Sequence, residues 1–559
     1  MIVLKNQNKA KIKQWHDPNC PYQIDFIIHK PSLFSVHENQ DSLTLAYGYI
    51  DQETNGLTPA HFICKKIVKY GVYKGLNACY GSFILIHSNK KTHEVILAND
   101  ALGDFALHYT RNKTYFCVSD LPSALLTQHN NQINRARVVD FFALTQPANN
   151  GSFFKNITQL NPGHYVRYKN DELIHKRYYQ PPSRVDFKQL SLPELALKYQ
   201  NLLKQAINWQ TRNQDKVSIM MSGGMDSTFV AANCLSLNKQ VNAFSYVFPE
   251  FKEADESTWI ASMSELGIVG HSFTGENFWP LKGRWQTSLN APVSNPYRLL
   301  KNEIYHQVAE SNIQTLLTGV YADHLYIAHL YWLVDLIKQH PLTGLKSLAL
   351  LLKSKGVYAA LRHVSPSKWS RKVKSNPFWL SKQAHKTFNQ RKLKVFSHPH
   401  PQQVNLVYGI DTAQSVWLDN EYTNKYGITI RHPYRDRRVV EFITSIPAWL
   451  IGNSQDSKQL VHKSAQNLLP SQIIKRKKVT SLKPLFIKGV LQKELSTVRF
   501  LLLHKESCWH EFIDKNIILS LLDNPSHQFP ELHYVLLWKC ISFEMWLKKI
   551  KNQTNFTNS

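Results

Sequence analysis

At 559 residues, with 43% apolar content, 13 Trp and 25 Tyr, the chain is too long for one core and too aromatic for disorder, so two or three folded domains are expected. Its seven cysteines form no Cys-x-x-Cys pair, which argues against a zinc ribbon or a disulfide framework and for reduced thiols in a cytoplasm. The net charge of +27 calls for an anionic partner or a strongly solvated basic face. Met1–Trp15 is polar and lysine-rich, unlike a signal peptide. The best apolar run, Ser347–Leu352, is far too short to span a membrane and is flanked by lysines.

From Met1 to about Arg184 the chain reads as β-rich. Apolar or alternating runs recur at Leu43–Tyr49, Gly81–His87, Val95–Ala98 and Thr114–Ser119, separated by Asn, Asp and Gly turns. Leu121–Thr127 and Ala136–Leu144 read as short helices within this half. A polar stretch, Pro181–Arg184, leads to Leu192–Gln210, whose apolar spacing is helical. Strands are then expected at Val217–Met221, Val241–Phe248, Ile268–Phe273 and Thr315–Gly319, with helices between them. That alternation predicts a parallel sheet covered by helices. Beyond Val320 the chain reads as mostly helical, and polar Lys548–Ser559 is expected to fray.

The most informative string is Met221-Ser-Gly-Gly-Met-Asp-Ser227, placed between a strand and a helix. Backbone N–H groups and hydroxyls of Ser222, Gly223, Gly224 and Ser227 can face phosphates there, with the positive end of a helix behind them. Asp226 would repel a polyphosphate unless it holds a bridging Mg²⁺. The Gly-Lys-Ser/Thr ending of a Walker A loop is missing. A second string, Leu317–Asp323, follows a strand and so lies at the carboxyl edge of the sheet. Asp323 is a candidate second carboxylate for the same Mg²⁺. Two further strings are Arg431–Phe442 and Pro470–Lys478. A cation from the latter, beside a leaving pyrophosphate, would stabilise developing charge.

Between Asp335 and Asp411 there is no acidic residue, while fourteen Lys and Arg lie from Lys338 to Lys394. Trp369, Phe378 and Trp379 are interleaved with them. A solvated basic face and a docking surface for an anionic partner are both open readings of segment 336–410.

In this order and spacing the four strings resemble the synthetase domain of the asparagine synthase family. Its Ser-Gly-Gly-x-Asp-Ser loop is a PP-loop, the phosphate site of enzymes that adenylate a substrate and release pyrophosphate. Leu97–Tyr109, Phe116–Leu126 and Ile157–Gly163 are similar to strings of the family's glutaminase-like N-terminal domain. The resemblance implies an α+β glutaminase-like sandwich at 1–185 and an α/β PP-loop synthetase domain with a helical C-terminal part at 190–550. It implies ATP and Mg²⁺ as cofactors. Ser222, Gly223, Gly224, Asp226 and Ser227 would then hold the ATP phosphates, with Gly319 near the nucleotide. Asp226 and Asp323 would coordinate the metal, with Asp323 part of the catalytic set, and Lys478 would stabilise the transition state of acyl-adenylate formation. Arg431, Pro433 and Asp436 would hold architecture.

Two departures redirect the expected chemistry. Glutamine-dependent members carry a cysteine directly after the initiator Met, whereas this chain has Ile2, and Cys20, Cys64, Cys79 and Cys117 are no substitute. The sandwich is therefore expected to lack its nucleophile, and added glutamine should release no glutamate. In the second string Val320 stands where asparagine synthetases have a glutamate, Tyr321 lies one residue beyond the tyrosine position of β-lactam synthetases, and His324 follows Asp323.

Retained ATP positions with an altered acceptor side imply adenylation followed by attack from a different amine. Two branches of the family use an amine on the substrate itself: β-lactam synthetases and lasso-peptide macrolactam synthetases. The basic segment favours the latter, with a precursor peptide as substrate and a maturation protease or leader-binding protein as a further partner. An ammonia-dependent asparagine synthetase, a PP-loop enzyme acting on nucleic acid, and a partner-binding pseudoenzyme are the alternatives. His324, Tyr321 and Glu421 are candidate bases for the attacking amine.

Overall fold

The computed structural model describes residues 12–16, 23–27, 31–111, 116–126, 132–170, 172–182, 190–283, 287–364, 377–391, 398–476 and 480–553. The alternating runs of the N-terminal half pair into a six-stranded antiparallel sheet. Its spatial order is Glu172–Arg177, His164–Lys169, Glu94–Asn99, Gly81–Asn89, Ser42–Ile50 and Phe34–Glu38. A smaller antiparallel sheet is built from Phe116–Ser119, His108–Arg111 and Thr158–Gln159. Along Gly81–Asn89 the side chains alternate between two cores. Ile84 and Ile86 join Leu107, Phe116 and Val118 of the second sheet. Phe83 and Leu85 face the other way, towards Phe62, Ile63 and Ile67 of a helix at Pro59–Asn77.

That helix was not expected from the sequence. It starts at Thr58, whose hydroxyl accepts from His61 N, and bends at Gly71, where φ is +76°. The bend breaks one apolar stripe into two short ones, and periodicity fades with it. Of the expected strand Thr114–Ser119, only Phe116–Ser119 lies within the described residues.

The second half opens on helix Leu192–Gln210, capped reciprocally by Ser191 and Glu194. Five parallel strands follow, in spatial order Val269–Thr274, Gln240–Val247, Lys216–Met220, Thr315–Thr318 and Thr429–Arg431. Numbered along the chain this is 3-2-1-4-5. The direction of winding therefore reverses between Lys216–Met220 and Thr315–Thr318, and the loops leaving those two strands flank the crevice where open α/β sheets bind ligands. The last strand is an addition to the mostly helical stretch expected beyond Val320; at three residues it is too short to show a period.

The C-terminal helix is a second correction. It spans Glu531–Gln553, so the chain does not fray from Lys548. It packs against helix Arg135–Phe142 of the N-terminal half through Phe142 and Phe543, whose ring centroids are 5.3 Å apart. An antiparallel sandwich, then a parallel α/β domain with a helical C-terminal part, is the fold.

Candidate active site

Directly after the first parallel strand, Met221 N–H donates to Phe244 O at 3.0 Å, and the chain turns into helix Met225–Leu235. Gly223 makes the turn at φ +62°, and a Cβ there would come within 3.0 Å of Trp259 Cβ and 3.2 Å of Ile260 N. Ser222 N donates to Ser227 Oγ at 3.2 Å, and Ser227 Oγ donates to Gly224 O at 3.3 Å. Ser227 thus braces the loop from its buried side, while Ser222 faces solvent. The loop presents the N-terminus of an eleven-residue helix to the switch crevice.

Gly319 closes the neighbouring strand against this loop. A Cβ on it would lie 2.5 Å from Ser227 N and 2.7 Å from Ser227 Cα, so the two loops meet backbone to backbone. Gly319→Ala must push the helix start away. It should cost about 1–3 kcal/mol of stability and lower AMP formation about a hundredfold through misplacement of the loop. Thermal unfolding and an AMP assay check this; wild-type values for both would show that the loops can part freely.

Beyond Gly319 the chain passes Tyr321, at φ +75°, into the short helix Ala322–Tyr326, which carries Asp323. Asp226 and Asp323 are brought together by a residue that no motif had marked. Lys458 Nζ lies 2.7 Å from Asp226 Oδ2 and 2.8 Å from Asp323 Oδ1. Burial pushes the Asp226 carboxyl up to about 6; Lys458 works against that rise and Asp323 adds to it. Burial opposes the Lys458 charge, but the two carboxylates outweigh it and hold its pKa above the ordinary lysine value. Asp226 Oδ1 is buried with no partner, an acceptor left open in the crevice. Tyr434 OH donates to the backbone carbonyl of Asp226 at 3.0 Å, so the Arg431–Phe442 string braces the first turn of the helix that carries this residue.

Among the described residues no group of three or more His, Cys, Asp and Glu could hold a metal alone. Mg²⁺ usually keeps several waters and takes only one or two carboxylates plus substrate phosphates. Asp226 and Asp323 sharing one cation, with an open buried oxygen beside a phosphate loop, fit that pattern.

Lys478 lies outside the described residues. Its flanks are fixed at one carboxylate: Arg476 pairs with Glu256, and Thr480 Oγ1 donates to the same Glu256 oxygen at 2.8 Å. Glu256 caps the short helix Ser257–Ala261, and Trp259 of that helix touches Gly223. The Arg476 guanidinium lies 4.1 Å above the Trp259 ring.

The other side of the Val320–His324 turn faces a cavity of about 440 Å³. Its lining includes Val320, Tyr321 and His324, together with Arg137, Arg298, Lys301 and Lys539 against Asp411 and Asp419. Asp419 is bonded by Arg298 Nη1 and Lys301 Nζ, each at 2.9 Å. Burial alone would raise the Asp419 carboxyl, but Lys301 and Arg298 hold it well below the usual carboxylate range. Arg137 gives Nη2 to Asp411 at 2.6 Å and to Gln414 at 2.8 Å, while its Nη1 is buried without a partner. Burial pushes Lys539 down to about 8, with Asp411 opposing and Arg137 assisting. Arg298 Nε is likewise buried without a partner, so the cavity is cationic and its lining carries two unanswered donors.

The three candidate bases separate here. Burial holds the Tyr321 phenol well above its ordinary pKa, which removes it as a base. Glu421 accepts from Ser288 Oγ at 2.9 Å and does not line the cavity. His324 lines it with Nδ1 unpartnered, and burial, then Arg435, lower its pKa to about 4, so the ring is neutral near pH 7.

The Asparagine synthase family profile matches residues 198–548, and the Glutamine amidotransferase domain profile matches 39–179. The chain is 20% identical over 499 residues to asparagine synthetase [glutamine-hydrolyzing] 1 of Bacillus subtilis strain 168, covering 83% of this chain and 77% of that one. It is 21% identical over 500 residues to asparagine synthetase [glutamine-hydrolyzing] 3 of the same strain, covering 80% and 74%. A solved glutamine phosphoribosylpyrophosphate amidotransferase from B. subtilis, complexed with ADP and GMP, is 12% identical over 53% of this chain and 59% of that one, at a TM-score of 0.18, too low to bear on the fold. With the synthase profile covering more than half of its length, the chain belongs to the asparagine synthase family and is an ATP-dependent amide-forming enzyme of that kind.

Proposed function

We propose that this chain adenylates a side-chain carboxylate of a precursor peptide and closes a macrolactam with the peptide's N-terminal amine, as lasso-peptide cyclases do. The supporting observation is the asymmetry of the Gly319–His324 turn. Its inner side meets the phosphate loop and the Asp226–Lys458–Asp323 bridge. Its outer side, where Val320 and His324 depart from the family pattern, lines a cationic cavity of about 440 Å³. The phosphate machinery is retained and the acceptor side is remade, with room for part of a peptide.

In this reading ATP lies on Ser222–Ser227. Asp226 and Asp323 would hold a Mg²⁺, which would supply charge neutralisation at the phosphates. Lys458, held between the two carboxylates beside the phosphate loop, would add a second cation there. The peptide carboxylate attacks the α-phosphorus; the bond to the pyrophosphate oxygen breaks, and Lys478 and Lys458 offset the charge of the leaving group. The N-terminal amine then attacks the acyl carbon, AMP leaves with the C–O bond pair, and the amine proton passes to neutral His324. Presenting the amine within the same peptide can lower the barrier by about 7–11 kcal/mol.

Overall one carboxylate, one amine and ATP give an amide, AMP and pyrophosphate, so the peptide loses one water. Mass spectrometry of a candidate precursor incubated with enzyme, ATP and Mg²⁺ tests this. Loss of one water with stoichiometric AMP supports the reading, and an unchanged peptide mass with AMP formed from free aspartate and ammonium overturns it. That second reading, amide transfer from ammonia, is favoured by the identities of the two B. subtilis relatives. Val320 at the glutamate position weighs against it.

A further inference from the structure

Segment Pro341–Val364 is helical on both sides of Gly356, where φ is +79°. Its inner face is covered: Leu351 and Ala360 are buried with Trp332, Leu333 and Leu336. Its outer face is not. Leu342, Leu345, Leu350, Leu352, Val357 and Leu361 are between 41% and 79% exposed. Positions 342, 345, 349 and 352 follow one another at helical spacing, so Leu342, Leu345, Ala349 and Leu352 form a stripe turned to solvent. A helix that is apolar on both faces is normally covered on both. No other element of the described chain exposes large aliphatic side chains at this density.

The charged residues of the segment itself have a single sign. Lys346, Lys353 and Arg362 are exposed on the same segment, and no acidic residue occurs from Leu336 to Ile410. Protein–protein interfaces are depleted in lysine. Exposed leucines set among lysines and an arginine match the two signals that hold a helix in a lipid interface: apolar side chains for the acyl boundary and cations for anionic headgroups. No helix among the described residues is long and apolar enough to cross a membrane.

We infer that the outer face of Pro341–Val364 seats this enzyme peripherally on an anionic membrane surface. The two helical arms lie in the interface with Leu342, Leu345, Leu350 and Leu361 entering the headgroup layer, and the excess of 27 positive charges draws the chain towards the surface before contact. This inference does not depend on which amide the active site forms.

Co-sedimentation of the full chain with phosphatidylglycerol and with phosphatidylcholine vesicles tests it. The expected result is binding to the anionic vesicles at least about tenfold tighter than to the neutral ones, weakened by salt. Leu345→Glu with Leu350→Glu on the first arm, and Leu361→Glu on the second, should each weaken it about tenfold or more. Lys346→Glu with Lys353→Glu should act likewise, and all variants should keep the thermal unfolding and ATP binding of the parent. Failure to bind anionic vesicles overturns the inference, as does binding that ignores both leucine variants. A concentration-dependent dimer that Leu345→Glu with Leu350→Glu dissolves would reassign the face to a second copy of the chain. Saturable binding of an acidic peptide that the same variants abolish, without vesicle binding, would reassign it to a peptide.

Discussion

Asp226→Asn should lower AMP formation about a thousandfold while leaving the chain folded and no less stable. The activity loss follows from geometry: Asp226 offers the open buried oxygen and shares Lys458 with Asp323. A neutral amide there cannot hold a dication against a polyphosphate. The effect on stability has the opposite sign. The folded-state pKa of Asp226 is about 6, raised from 3.8 by burial. The folded chain thus holds this proton more tightly than the unfolded one does. Ionised Asp226 therefore costs stability at neutral pH, by about 3 kcal/mol, and the cost vanishes as pH falls below the unfolded value. Asparagine removes that cost and keeps an oxygen for Lys458 Nζ. Calorimetry should show a Tm equal to or above that of the parent. A Tm that falls together with activity would make Asp226 a structural residue.

Arg431→Met should be the most damaging single change outside the site, destabilising the chain by about 3–5 kcal/mol. Arg431 Nη2 donates to both oxygens of Asp51, at 2.7 and 2.6 Å, and the guanidinium lies 3.4 Å over the Tyr49 ring. The pair joins the last parallel strand to the N-terminal sheet, and both side chains are less than a tenth exposed. Burial already raises the Asp51 carboxyl, with Arg431 as the opposing charge. Without Arg431, Asp51 is a buried charge left with only the weaker influence of Arg438 against it. Asp51→Asn in the same chain should recover most of the loss, because an asparagine tolerates that site uncharged. Urea or thermal unfolding of the single and double variants reads this out. Equal damage in both would assign the effect to lost packing on Tyr49.

The parts of the site carried by local chemistry were legible in the sequence. The Ser-Gly-Gly turn has its own φ requirement and sits between an apolar strand and a helix. The alternation of strands and helices foretold a parallel sheet with the Asp323 string at its carboxyl edge. What sequence could not show was set by tertiary pairing. Lys458 opens a short helix, Gln459–Ala465, in an unremarkable polar stretch, 232 residues from Asp226. The only signal was negative: two carboxylates meeting in a crevice require a cation. Arg431 and Arg435 belonged to a string read as architectural, but Asp51 and Asp104 lie 380 and 331 residues away. The run Ser347–Leu352 stands out in the sequence only as the best apolar run, and Leu350 and Leu352 face solvent; composition does not say which face of a helix is covered.

Oxygen-18 tracing tests the central claim most directly. A carboxylate substrate, labelled in its carboxyl oxygens, is turned over with ATP and Mg²⁺, and the nucleotide product is weighed by mass spectrometry. If the phosphate loop adenylates that carboxylate, the nucleotide is AMP and carries one oxygen from the substrate. ADP as product, or AMP whose new oxygen comes from water, would contradict the account.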